Sequence, residues 1–329
     1  MAVPLARIGV LSIGDMGMGI AKLLIANGFS VATNCKGRSN DTLERAKNAN
    51  VDIYKSDEQL AAACDVILSV VPPRDAAATA QRIVDAVTGP FRRGGDGGGG
   101  EEKPLYFADL NAVAPSTTKS IAALFEPTRG TVRFIDGAII GNPPAPAPAP
   151  GAGAEWKVPS IPVSGPYKIA EIPGYGPRLA ATLNVRHVSD EIGVASGLKM
   201  CFASLTKGFT SLAIQSFTTA KRLGVLDELC GELEARAPGH WKAAERGVVG
   251  MAPKAYRWVR EMEEIAVTFD EEGGFPPDLF RGVADVYRAV AEDSVLGDEK
   301  VGKRKRGLDV HDMAAAMAEG LENKRKKND

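Results

Sequence analysis

The stretch Ala6-Arg7-Ile8-Gly9-Val10-Leu11-Ser12-Ile13-Gly14-Asp15-Met16-Gly17-Met18-Gly19 decides how the first part of the chain is read. Residues 6–13 are a short β-rich run, and residues 17–27 place apolar side chains at helical spacing before Gly28. The pattern is strand, tight turn, helix. Small residues in such a turn let backbone N–H groups and the helix N-terminus approach a pyrophosphate without side-chain interference. The turn matches the middle and last glycines of Gly-x-Gly-x-x-Gly, with Ser12 in the first place. Small residues between strand and helix also serve plain packing, so the weight falls on whether the unit is repeated along the chain.

It is repeated. Strands are expected at 29–33, 51–54, 65–71, 104–109 and 132–136, and helices near 41–49, 57–63, 74–87 and 115–125. Alternation of this kind predicts an α/β domain with a doubly wound parallel sheet of the Rossmann type and right-handed crossovers. From about residue 191 the pattern turns to helices. A long one over 193–222 is apolar around most of its circumference, which predicts that it is mostly buried, wrapped by other helices or by a partner subunit. Shorter ones follow near 225–235, 253–269 and 277–293. The expected organisation is therefore a Rossmann domain over 1–190, an all-α C-terminal domain over 191–296 reached by a long interdomain helix, and a basic polar tail over 297–329 with a short helical stretch at 309–322. The Gly-rich run at 94–103 has nothing to bury and reads as a surface insertion, and the Pro-Ala run at 143–155 as an extended spacer.

Bulk properties narrow the function classes. The 329 residues carry 40 Lys+Arg against 41 Asp+Glu, so no global field marks a nucleic-acid or membrane binder. Cys35, Cys64, Cys201 and Cys230 form no Cys-x-x-Cys pair, and His187, His240 and His311 show no ligand spacing, so no metal site is expected. The lone histidines read as ordinary surface or core residues. No apolar run approaches the roughly 20 residues that span a bilayer, and the expectation is a soluble, cytoplasmic protein. Lys303-Arg304-Lys305-Arg306 and Lys324-Arg325-Lys326-Lys327 admit a nuclear-import reading beside the plainer one of a solvated charged terminus.

The end of the second strand bears on cofactor choice. An NAD enzyme offers an acid there to the ribose 2′-hydroxyl. Here Thr33-Asn34-Cys35-Lys36-Gly37-Arg38-Ser39 has no acid and two cations. A guanidinium at Arg38 suits a 2′-phosphate, with Ser39 donating to the same oxygens, which points to NADP(H). Lys36 reads equally as a solvated loop cation. Asn111, just past a strand end, is a candidate for the nicotinamide ribose or amide, with a turn role before Pro115 as the alternative.

Gly14-Asp15-Met16-Gly17, Arg38-Ser39, Ser69-Val70-Val71-Pro72-Pro73, Asp109-Leu110-Asn111-Ala112-Val113-Ala114-Pro115, Asp136-Gly137-Ala138-Ile139-Ile140-Gly141 and Gly197-Leu198-Lys199 occur in the order found in the β-hydroxyacid dehydrogenases. Over about residues 6–290 the chain resembles that superfamily, which includes 3-hydroxyisobutyrate and 6-phosphogluconate dehydrogenases, with imine reductases as cousins. It is most similar to a branch with a phosphogluconate-dehydrogenase-like C-terminal domain, through Lys254-Ala255-Tyr256-Arg257-Trp258 and the residues at 261–266.

The resemblance implies an NADPH-dependent oxidoreductase that moves a hydride to or from a small carbonyl, hydroxyacid or imine, and a homodimer. It implies cofactor contacts at Ser12, Ile13, Gly14, Asp15, Met16, Gly17, Arg38, Ser39, Val71, Pro72 and Asn111. Lys199 takes the place of the family's proton-transferring lysine; an ammonium partly withdrawn from water gives up its proton more readily. The plain alternative is a surface lysine on an amphipathic helix. Two positions depart from the pattern: Ala203 stands where hydroxyacid dehydrogenases have an Asn, and Ile140 where they have a Ser. Ile140, Gly141, Ala203 and Thr206 are the candidate substrate residues. Lys207 is a further polar group near that face, explained equally by a cap, a solvated face or a dimer seam. The lost polar groups also leave room for an NADP-binding regulatory or scaffold protein without robust catalysis.

Overall fold

The computed structural model describes residues 3–37, 40–89, 103–147, 156–300 and 302–328. Arg38, Ser39, most of the Gly-rich run and residues 148–155 lie outside them. The chain forms two compact units, Met1–Lys199 and Met200–Asp329.

The first unit is built on an eight-stranded sheet. Its strands are β1 (Arg7–Leu11), β2 (Ser30–Asn34), β3 (Asp52–Tyr54), β4 (Val66–Ser69), β5 (Leu105–Asp109), β6 (Val132–Gly137), β9 (Ile161–Ser164) and β10 (Val185–Ser189), in the order β10-β9-β6-β5-β4-β1-β2-β3. All neighbours are parallel except β6 and β9. Alternate side chains feed two cores. Val66 and Leu68 of β4 join Ile8, Val10, Ile20 and Leu24 on one face, whereas Ile67 joins Leu60, Ile83, Phe107 and Phe134 on the other. The helices that cover the faces are α1 (Asp15–Ala26), α2 (Asn40–Asn48), α3 (Asp57–Ala63), α4 (Ala76–Thr88), α5 (Pro115–Ala123) and α6 (Gly176–Leu183). The chain winds outward in one direction through β2 and β3 and in the other through β4, β5 and β6. The crevice where the order reverses therefore lies at the carboxyl ends of β1 and β4.

β9 contains Pro162 and ends at Ser164, where Ser164-Gly165-Pro166 reads in the sequence as the end of a β-segment or as a turn. Other elements are additions to the sequence reading: β10 is an edge strand with mostly half-buried positions. In the Pro-Ala spacer, Ala145–Pro146 (β7) pairs antiparallel with Trp156–Lys157 (β8), which follows the spacer, in a small ladder.

α7 (Val194–Leu223) begins in the first unit and continues in the second, which also holds α8 (Leu226–Arg236), α9 (Pro238–Met251), α10 (Ala255–Glu271), α11 (Asp278–Glu292) and α12 (Val310–Asn328). α9 escaped the periodicity because it carries Gly239, Gly247 and Gly250. Gly247 is needed there: a Cβ would run into the Thr210 side chain on α7. Within this chain α7 is covered on one face only, so other helices account for part of the burial expected of it. Met200, Ala203, Ile214 and Phe217 are buried, but Leu198, Phe202, Leu205 and Leu212 are exposed, Leu205 by 78%. Residues 297–329, read as a basic polar tail, turn Val310, Met313 and Met317 of α12 inward. Arg304 donates to the carbonyls of Val249 and Gly307, and Arg306 pairs with Asp312 at 2.7 Å, so half of the first basic cluster clasps the second unit.

Candidate active site

The turn after β1 is set by backbone fit. A Cβ on Gly17 would overlap the Ser12 carbonyl oxygen, so only glycine lets α1 start so close under the strand. Gly14, the N-cap of α1, has no side-chain cap, and a Cβ built on it would meet nothing within 4 Å. An open backbone face at an uncapped helix start is what a pyrophosphate requires. Ile13 is buried beneath the turn, while Asp15 lies outside it, 3.6 Å from Arg45. The Ser12 N–H donates to the Val70 carbonyl at 3.2 Å and the Val70 N–H to that of Leu11, so the loops after β1 and β4 are tied where the crevice opens.

At the end of β2, Asn34 is buried and its amide donates to Asp57 at 2.8 Å. Asp57 is also gripped by both ends of the Arg82 fork, each at 2.8 Å. Its charge is neutralised below the strand end. The Lys36 N–H donates to the Asn34 side chain at 2.9 Å and Gly37 turns the chain with φ of 74°, leading to Arg38 and Ser39, which are outside the described residues.

Asn111 takes the loop-ordering role that the sequence offers as its alternative. Its side chain is 3% exposed; the oxygen accepts from the Val71 N–H at 2.7 Å, and the amide donates to Ser69 at 2.9 Å and to Asp109. These bonds order the loop at Val71 and Pro72. Beneath Asn111, Asp109 is buried, with one carboxyl oxygen lacking a hydrogen-bond partner among the described residues. Burial, opposed by hydrogen bonds from Asn111 and reinforced by the nearby Asp136, pushes the Asp109 carboxyl up to about 7.

Asp136 faces Asp109 across the β5–β6 pairing and is also buried. It accepts from Ser164, Ser196 and the N–H groups of Gly193 and Ser196. Lys199 follows on the same helix turn, half-buried, and its Nζ donates to the Ile139 carbonyl at 3.0 Å. Of the substrate candidates, Ile140 exchanges backbone hydrogen bonds with Ser160, and Gly141, with φ of 137°, packs on Pro159. In the second unit, Ala203 is buried and the Thr206 hydroxyl bonds back to the carbonyls of Phe202 and Ala203 on its own helix. The buried polar cluster of Asp109, Asp136, Ser164 and Ser196 escaped the site reading. Its only sequence trace is an Asp at or near the end of each of two apolar strands.

Among the described residues there is no group of His, Cys, Asp or Glu that would hold a metal ion, and no helix is long and apolar enough to cross a membrane. Residues 7–90 match the family model described as NADP oxidoreductase, coenzyme F420-dependent, and residues 220–290 match a domain of unknown function, DUF1932. An uncharacterized 28.5 kDa protein of Methanothermus fervidus is 26% identical over 228 residues, 69% of this chain and 76% of that protein. A conserved protein of unknown function, described as structurally similar to 3-hydroxyacid dehydrogenases, is 25% identical, with 86% of this chain and 97% of that one covered and a TM-score of 0.57. The 3-hydroxyisobutyrate dehydrogenase of Salmonella typhimurium is 19% identical, with coverage of 95% and 99% and a TM-score of 0.62.

Proposed function

From a chain that has the fold of the 3-hydroxyacid dehydrogenases and an NADP-oxidoreductase match over its first strands, we propose an NADP(H)-dependent oxidoreductase of a small carbonyl, hydroxyacid or imine substrate. The turn at 12–17 carries the reading: it is closed where Gly17 meets Ser12 and open where Gly14 faces outward. Residues 12–17 would hold the pyrophosphate, Arg38 and Ser39 the 2′-phosphate, and Val71 and Pro72, ordered by Asn111, the nicotinamide half. The bound nicotinamide supplies or accepts the hydride. Lys199 gives or takes the proton at the substrate oxygen or nitrogen. Ile140 and Gly141 are the first unit's candidates for binding substrate, and Ala203 and Thr206 the second unit's. Because Ile140 and Ala203 offer no hydrogen bond from their side chains, the substrate is less polar than an ordinary hydroxyacid.

The working form is a cytoplasmic homodimer. Leu198, Phe202, Leu205 and Leu212 make an exposed stripe along α7 at steps of four, three and seven residues, one helix face of the kind that a second copy covers. Fluorescence titration of the purified protein with NADPH, followed by a panel of aldehydes, keto acids and cyclic imines, tests the reading. Quenching that saturates, with oxidation of NADPH by some members of the panel, is expected; no binding of NADPH would end it.

A further inference from the structure

The first turn of α7 has its backbone donors taken by the sheet. The N–H groups at a helix start have no intrahelical acceptors, and a buried start must find them elsewhere. The Asp136 carboxylate at the end of β6 accepts from the Gly193 N–H at 2.8 Å and the Ser196 N–H at 3.3 Å, and Ser164 at the end of β9 accepts from the Ala195 N–H at 3.0 Å. Ser164 in turn donates to Asp136 at 2.7 Å, Ser196 donates to it at 2.6 Å, and Thr118 lies at 3.5 Å. Gly193 is needed for this geometry, with φ of 106° and Pro115 so near that a Cβ would sit 3.2 Å from it. A buried carboxylate so supplied with donors caps the positive end of a 30-residue helix.

The stretch just past the end of β6 grips the helix a second time. Ile139, three residues past Asp136, accepts from the Nζ of Lys199, three residues past Ser196. Two links, Asp136 to Ser196 and Ile139 to Lys199, thus fasten one turn of α7 to one stretch of chain. An amine on a four-carbon stem has many rotamers, and useful placement requires that its backbone be held.

We propose that Asp136 is the positioning residue for the Lys199 amine, acting through Ser196, and that this knot rather than local helix propensity sets where the amine stands. The inference rests on Lys199 being the proton-transferring group, but its test needs neither substrate nor cofactor. Trace labelling with acetic anhydride, read by mass spectrometry as the rate of Lys199 relative to the exposed Lys221 at the other end of α7, follows the amine directly over a pH series. Ser196→Ala removes one donor and leaves both N–H groups; it is expected to change the Lys199 to Lys221 ratio at least threefold and to displace its pH profile. Asp136→Asn is expected to do more. Should Asp136→Asn not fold, Ser164→Ala is the second variant, since it too leaves the carboxylate in place. Circular dichroism melting shows which variants are folded. A ratio and profile identical to the native protein in folded Ser196→Ala and Ser164→Ala, with only the melting temperature lowered, would overturn the proposal. NADPH titration of the same samples keeps the two ideas apart: a changed ratio in a protein that does not bind NADPH supports the positioning knot while removing the oxidoreductase reading.

Discussion

Lys199 and Lys207 stand two turns apart on α7, among similarly small and apolar neighbours, and meet opposite surroundings. Lys199, in the first unit, donates to a neutral carbonyl. Lys207, in the second, is paired with the carboxylate of Glu261, lies 4.8 Å from the centre of the Trp258 ring, and has its own carbonyl bonded by the Tyr287 hydroxyl at 2.6 Å. Burial first, and then the Glu261 charge, hold the Tyr287 phenol far above its ordinary value. Lys207 is thereby committed to holding the helices of the second unit together, while the amine proposed to exchange a proton has a backbone carbonyl among its partners. A buried ion pair is costly to break, because the surviving partner keeps its desolvation without its counter-charge.

The contrast between the lysines is broken most directly by truncating each. Lys199→Ala should lower turnover by roughly 10²- to 10⁴-fold, the usual range for a lost general acid or base, while NADPH affinity holds. Lys207→Ala should instead cost about 3–5 kcal/mol of stability in urea denaturation, with turnover per folded molecule within a few-fold of native. Exchanged outcomes, with Lys207 controlling turnover and Lys199 stability, would reverse the assignment.

The buried carboxyls of the two regions sharpen the same point. Glu261 has a cation, whereas Asp109 is surrounded by neutral donors and a second acid, and its carboxyl is raised to about 7. Folding therefore favours the protonated form of Asp109. Its contribution to stability is full below the unfolded value near pH 4 and is lost as pH rises through about 7. Asp109→Asn, which imitates the protonated acid, should cost less relative to the native protein at pH 8 than at pH 5. Chemical denaturation at both values measures it, and an equal cost at the two would refute the neutral carboxyl.

The smallest effect on the fold is expected from Leu205→Glu, between the two lysines on the exposed face of α7. Light scattering should show the native protein as a dimer and the variant shifted to monomer with little change in circular dichroism. A native protein that runs as a monomer would show that the stripe has another use.

Much of the first unit could be read because its signals are local. The alternation of apolar strands and amphipathic helices from β1 to β6 matches the sheet closely, since buried parallel strands must be apolar throughout and crossovers must be helical. The glycine turn was legible for the same reason. α9 was not, because three glycines speak locally against a helix that tertiary contacts nevertheless form. Asn111 was read at the strand end, with a cofactor role or a turn role; nothing in Asp109-Leu110-Asn111 tells that Ser69 and the Val71 N–H, some 40 residues earlier, bond its side chain.

Read alone, the chain states a doubly wound sheet, a pyrophosphate-type turn, a change to helices near residue 191 and a lysine early on the long helix. Each depends on spacing within a dozen or so residues, where backbone geometry and periodicity leave few choices. The tertiary structure decided what that lysine is attached to. Asp136, Ser164 and Ser196 come from β6, β9 and α7, and only their burial together makes a polar cluster costly to leave unpaired and so specific in its pairing. It likewise decided that Lys207 is bound to Glu261 and that one face of α7 stays outside, because pairing and exposure depend on which distant residues arrive, a property that no local pattern carries.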